Sequence, residues 1–511
     1  MSSSGPEFQP PSTTGPTQYW APTPPPFTTG PTPSGAPTPV LREHQTGRVV
    51  ALVVAWAIMI GVAGVIAWML VLQAFQAPSD ASTPPASAPP QSSGTTLPAC
   101  YQGEDLWIMS LCGSRSDMPI TMAVTSNGTL MVAGATYSQD GSFADAPAIS
   151  ADQANSFIAT MTRPTDMSMR FDGIQFNDTA PLADGGFIAA GDVIVGDIPV
   201  GGGYYASDVD AIVTRYDQNL NVVWQTTYGT KTSLDSFHNV AVGPDGTIVA
   251  LDLTDEATSD PTVNNTHVIL VKFSDTGDQL WAHDYGDMHK DFLGTPVVVD
   301  ANGNIYVMVT SDKPNPDDPD STLAGATVAM FDPKGKLVWT KEYGGTGMES
   351  FDDAVPTAGG IMVVGWSGSV DGDFASPTGS AAVMAEINKK GNIVASCTYD
   401  AVDGAEFYAA ATTGNGEYAV AGQSYLNGSG NEALAALVRP PTGLHEACDV
   451  IWYRTFGGTD DEYFSDIAVA PDGGLFVMGE TNSTDGTLPA SMGDADGVIV
   501  KLTLQGDIGT P

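Results

Sequence analysis

Glycine turns followed by apolar runs recur through this chain at a nearly constant interval, and no other feature restricts its fold so tightly. Gly128 precedes TLMVAG, Gly185 GFIAAG, Gly246 TIVAL, Gly303 NIYVM, Gly359 GIMVVG, Gly416 EYAVAG and Gly473 GLFVMG. The spacings are 57, 61, 57, 56, 57 and 57 residues. A fixed period of this length is the signature of one supersecondary unit repeated many times.

The third unit shows the content of each repeat. HNVAV (238–242) leads through GPDG into TIVAL (247–251). A polar connection follows, then HVILVKF (267–273), the turn SDTGD and QLWAHDYG (279–286). Aliphatic, aromatic and β-branched runs bounded by Gly, Asp and Pro read as antiparallel hairpins. Four strands per unit, seven times over, predict an all-β seven-bladed propeller of four-stranded antiparallel blades. A solenoid is the alternative, and closure decides between them. The fourth strand carries Trp224, Trp281, Trp339 and Trp452, with Met169 and Ala395 at the same place in the first and fifth units. The seventh unit ends at GVIVKLTLQGDIGTP without a fourth strand. EDLWIMSLCG (104–113) stands before the first unit and matches QLWAHDYG. This N-terminal segment is expected to complete the last blade, with Trp107 in the tryptophan position, leaving no open sheet edge.

The pattern VAVxxDGxxVVxGxT, followed by VxVKxDxxGxxxWxxxYGG, resembles the bacterial β-propeller-repeat proteins and the wider quinoprotein-like propeller class, over residues 104–508. The resemblance implies fold and not activity, since unrelated functions share such scaffolds. The adjacent cysteine pair of the quinoprotein dehydrogenases is missing, so that activity is not implied.

Strand order puts the connections between second and third strands, and those between units, on one face. The former are long: 135–156, 192–209, 252–267, 309–325, 366–380, 423–432 and 480–496. Long connections on a rigid scaffold are where binding resides. Two acidic patterns fall there. GATYSQDGSF, GWSGSVDGDF and GETNSTDGTL share G-x-[ST]-x-S-x-D-G-x-[FL] and supply Asp140, Asp371 and Asp485. Between units an acid precedes an aromatic: Asp235 and Phe237, Asp291 and Phe292, Glu349 and Phe351, Glu406 and Phe407, Glu462 and Phe464. Carboxylates suit Ca²⁺, which takes six to eight oxygens, so Asp140, Asp371 and Asp485 are the candidate metal ligands. Asp and Ser before Gly also form turns by bonding their own backbone, and the aromatics are expected to pack between units.

The rest of the chain sets location. Residues 1–48 form a Pro-rich, low-complexity tail with Pro22 and Pro25 in PxxP spacing, too poor in apolar side chains to fold. Residues 49–75 contain the uncharged run Val49 to Leu72, long enough to span a bilayer as one transmembrane helix. Arg42 and Arg48 precede the run and the next base is Arg115, so the positive-inside rule predicts a signal-anchor with a cytoplasmic N-terminus. Residues 76–98 read as a Ser/Thr/Pro stalk, and 99–511 as the extracellular propeller at the cell membrane. The cysteines Cys100, Cys112, Cys397 and Cys448 all follow the span, which favours disulfides. Three pairings are possible, and the repeat frame favours Cys100–Cys112 with Cys397–Cys448.

A formal charge of −41 repels phosphate backbones and excludes nucleic acid as a partner. No G-x-S-x-G, HExxH or Walker loop occurs. The expected role is a non-catalytic binding or scaffold module that meets a protein or glycan ligand on the acidic long-loop face. The alternatives are an extracellular enzyme with carboxylates in the central channel and a sensor signalling through the Pro-rich tail.

Overall fold

The computed structural model describes residues 107–148, 153–201, 204–229, 233–256, 266–286, 296–314, 322–400, 404–425 and 430–508. Among these the fold is all-β, built from small antiparallel sheets, with a few 3₁₀ turns and no α-helix. No helix there is long and apolar enough to cross a membrane. The expected tail 1–48, span 49–75 and stalk 76–98 lie outside the described residues, as does Cys100.

The strands group into up-and-down sets of four that follow the sequence repeat. In the first unit Asp117–Val124, Leu130–Thr136, Asn155–Met161 and Ser168–Phe171 pair in that order. Six of the seven repeat glycines, Gly128, Gly185, Gly246, Gly303, Gly416 and Gly473, hold φ between 78° and 90°. A side chain resists that backbone, which is why glycine recurs at this turn. The second and third units join into one larger sheet through a single parallel pair, Leu234 with Val209. The last set draws on both ends of the described chain. Ile108–Leu111 pairs antiparallel with Asp496–Leu502, Ile108 opposite Val500 and Leu111 opposite Gly497.

Each unit alternates its apolar residues between two neighbours, so each hydrophobic cluster lies between successive units. Phe187, Phe176 and Ile158 gather between the first and second, and Phe237, Phe273 and Val213 between the second and third. Trp107, Met109 and Met478 of the seventh unit pack with Leu130, Phe143 and Phe157 of the first. Trp107 is 2% exposed and meets Phe476 edge to face at 5.1 Å. The first strand of each unit packs beside that of the next, and Glu462–Val469 packs beside Asp117–Val124.

The fourth-strand tryptophans link neighbouring units. The indole N–H of Trp224 donates to Asp275 O at 3.1 Å, that of Trp339 to Lys389 O at 3.0 Å and that of Trp452 to Leu504 O at 2.9 Å. Asp275 and Lys389 lie in the tight turn between third and fourth strands of the following unit, and Leu504 in the turn that follows the seventh unit's third strand. The turn glycine rests on the ring: a Cβ on Gly277 would meet Trp224 at 2.7 Å, and one on Gly506 would meet Trp452 at 2.7 Å.

Three of the seven predicted long loops are instead prolonged hairpins. Phe187–Gly201 pairs with Tyr204–Tyr216, Ile248–Glu256 with Thr266–Phe273, and Ile305–Pro314 with Thr322–Phe331. Their Gly, Pro and Asp content reads as loop, but antiparallel pairing supplies backbone partners whatever the side chains. The sixth unit adds a feature without a repeat counterpart. Its third-to-fourth connection runs back to the fifth unit, where Glu446–Ala447 pairs in parallel with Cys397 and Thr398 and the Cys397–Cys448 disulfide fixes it. Cys112 is disulfide-bonded too.

Candidate binding face

The two acidic sequence patterns converge on one hydrogen-bonding device that occurs in the first, fifth and seventh units. In the fifth, Asp371 Oδ1 accepts the Thr346 N–H at 2.7 Å and Ser369 Oγ accepts the Gly347 N–H at 2.7 Å. In the seventh, Asp485 Oδ1 accepts the Thr459 N–H at 2.9 Å and Ser483 Oγ the Asp460 N–H at 2.8 Å. In the first, Asp140 Oδ1 accepts the Ser114 N–H at 2.8 Å and Ser138 Oγ the Arg115 N–H at 3.0 Å. The inter-unit connection is thereby tied to the second-to-third connection of its own unit.

Buried acids of the other pattern complete the device. Glu349 takes the hydroxyls of Ser367 and Ser369. Glu462 takes Thr481 Oγ1 and the Ser483 N–H, both at 3.1 Å. In the first unit Asp117, which is outside that pattern, takes the same place, accepting from Thr136 and Ser138, and burial pushes its carboxyl up to about 7 against those bonds. Asp140, Asp371 and Asp485 therefore lie in separate units and each holds backbone N–H groups. No group of three potential metal ligands occurs among the described residues. The aromatics of the pattern are core: Phe237, Phe351, Phe407 and Phe464 are buried. Asp291 and Phe292 lie outside the described residues.

A second set of acids, not singled out from the sequence, lies on the first strands just after a β-bulge. Asp178 Oδ2 accepts the Val240 N–H of the next unit, and Asp353 Oδ2 that of Ala410, both at 2.8 Å. Asn239 Oδ1 accepts the Val297 N–H at 2.8 Å in the same way. Each aspartate also accepts the N–H of the residue that follows it. Asp178, Asp353 and Asp466 repel one another. Burial pushes Asp178 and Asp353 up to about 7. The adjacent pairs ND, DD and SD at these bulges were the available sequence signal.

Nearby, Glu406 accepts hydroxyls from Tyr408 and Tyr425 and an amide N–H from Gln423. Tyr408 faces the ring of Tyr463 at 6.3 Å between centroids. These carboxylates are occupied by backbone and phenol donors, which suits a structural role better than proton transfer to a substrate.

The sequence around the prolonged hairpins is acidic. Positions 192–209, 252–267 and 309–325 contain eleven Asp and Glu against one Lys, Lys313. The seventh unit's 480–496 adds four acids with no Lys or Arg, so acidic residues recur around these connections.

No family model matches the chain, and no curated protein matches it. Solved structures give distant likenesses. An extracellular domain assigned to a one component system of B. thetaiotaomicron aligns at 8% identity and a TM-score of 0.37, over 77% of this chain and 40% of that one. This chain thus spans about two fifths of that domain. A polysaccharide lyase, ulvan lyase, aligns at 11% identity and 0.41, over 71% and 96%. An alpha-L-arabinofuranosidase from Fusarium graminearum aligns at 11% identity and 0.36, over 80% and 98%.

Proposed function

We propose that residues 99–511 form a closed seven-bladed β-propeller, held outside the cell by the span at 49–75. In this reading it acts as a non-catalytic binding or scaffold module through its acidic long-loop face. Closure is supported by the pairing of Ile108–Leu111 with Asp496–Leu502 and by the first strands neighbouring one another in cyclic order. Arg42 and Arg48 before the apolar run support a cytoplasmic N-terminus.

One observation carries the binding role. Strands are prolonged in three consecutive units, and the described prolongations include Asp197, Asp255, Glu256 and Asp312. In this reading the prolonged strands serve to present those residues. The partner it fits is a protein or glycan surface bearing cationic groups, with binding weakened by salt.

The test is a thermal-shift screen of the purified full chain against isolated envelope polysaccharides and basic proteins. It is repeated with Asp312, Asp317, Asp318 and Asp320 all changed to Asn. A ligand that stabilises the native chain and not the variant, with the two melting alike alone, supports the role. Equal binding by both overturns it.

A further inference from the structure

The junction of the first and second units holds a cavity of about 240 Å³ that the acidic hairpins do not account for. Three segments at the long-loop face form its wall. Asn155 and Ser156 begin the first unit's third strand, Phe171 and Gln175 flank the connection to the second unit, and Asp192 and Ile194 lie on the second unit's prolonged hairpin. The volume is below the roughly 300–1,000 Å³ of drug-sized sites, which restricts an occupant to one ring or a short chain.

The polar groups of this wall are unusual. Gln175 Nε2 is buried with no hydrogen-bond partner, an arrangement that opposes folding. Asp192 is 4% exposed, and its Oδ1 accepts Ser236 Oγ at 2.9 Å. Asn155 is also buried, its Nδ2 donating to Pro147 O at 2.9 Å. No Lys or Arg lines the cavity, so an anion finds no counter-charge. Phe171 and Ile194 set apolar surface beside these donors and acceptors. A sugar ring has the same make-up, with C–H groups on its faces and hydroxyls that both donate and accept at its rim.

We propose that this cavity binds a single neutral saccharide residue, with Gln175 donating to one hydroxyl and Asp192 accepting from another. The inference rests on the binding-module reading and names a ligand class for a second place on the same face. A cationic amine drawn to Asp192 is the competing occupant.

Saturation-transfer NMR on the purified full chain, with glucose, galactose, mannose, arabinose, N-acetylglucosamine and ethylammonium as probes, tests it. At least one sugar is expected to receive saturation and to raise the melting temperature. Gln175→Leu should weaken that sugar about tenfold, as loss of one hydrogen bond does, while leaving the unliganded melting temperature equal or higher. If that variant does not fold, Gln175→Glu keeps the shape, replaces the donor by an acceptor and should weaken the sugar likewise. Saturation of no sugar, of ethylammonium alone, or of a sugar whose affinity the folded variant leaves unchanged overturns the proposal. The hairpin variant at Asp312, Asp317, Asp318 and Asp320 should bind the sugar normally. If that variant loses its own ligand while no sugar binds, the cavity proposal falls and the module reading stands.

Discussion

The Asp466 carboxylate accepts the Met122 N–H at 2.8 Å, although 344 residues separate the two in the chain. It is the same bond that Asp178 makes to Val240 and Asp353 to Ala410 between consecutive units. The last unit is therefore joined to the first by the device that joins neighbours elsewhere.

Trp107 anchors that junction from the outside. It stands opposite Lys501, as Trp281 stands opposite Lys272, and packs on Phe476. Removing so large a buried ring as Trp107→Ala should cost roughly 3–5 kcal/mol, read as a lower denaturant midpoint. A chain beginning after Leu111 should aggregate through the bared edge of Asp496–Leu502. Unchanged unfolding in both would show that the pairing contributes nothing.

Gly277 and Gly416 separate two effects of adding a methyl group. Both hold positive φ, 85° and 79°, so Ala at either place meets backbone strain of about 1–2 kcal/mol. Nothing lies near a Cβ on Gly416, whereas one on Gly277 strikes the Trp224 ring. Gly277→Ala should therefore be the more destabilising by about 1–3 kcal/mol, the usual range for overpacking. Equal losses in paired urea melts would remove the inter-unit stacking from the account.

Stability should peak in mildly acidic solution. Asp178 and Asp353 have folded pKa values of about 7 because burial disfavours their charged forms. Their contribution is complete below about 4, the ordinary aspartate range, and is lost as pH rises through about 7. Asp184 has the opposite sign: the Gly186 N–H holds its carboxyl low, so its contribution disappears only as pH falls below about 4. The melting temperature should drop between pH 4 and 7, and Asp353→Asn should flatten that slope. A rising or flat native profile over this range would contradict the assignment.

Asp371 distinguishes a metal ligand from a loop clip. Asp371→Ala should cost about 0.5–2 kcal/mol, as loss of other side-chain-to-backbone caps does. Calcium chelation should leave the native melting temperature unchanged. A fall with chelator that Asp371→Ala abolishes would restore the metal reading.

The sequence disclosed the second strands best, because Gly128, Gly246 and their counterparts mark a turn that only glycine enters easily. Trp224, Trp339 and Trp452 were legible for a similar reason, each being the one tryptophan in its strand. Hairpin length was hidden, since pairing at Gly201 and Tyr204 depends on backbone alone. The return of 439–449 to the fifth unit has no periodic trace beyond its extra length and Cys448. Asp178 and Asp353 escaped notice because a bulge turns them away from the alternation that betrays their neighbours. Asp140, Asp371 and Asp485 were found by pattern, but their partners are backbone N–H groups, which no pattern records.

The strand Ile108–Leu111 is the first of the described strands to be synthesised, and its partner Asp496–Leu502 is the last. Neighbouring units can collapse against each other as they emerge, but the first cannot bury its outer flank, nor the seventh complete its sheet, before translation is nearly done. A long-range pairing of this kind is entered late and slowly. Premature termination anywhere upstream of residue 496 thus yields a chain that has lost not its final segment alone but the lodging of its earliest strand.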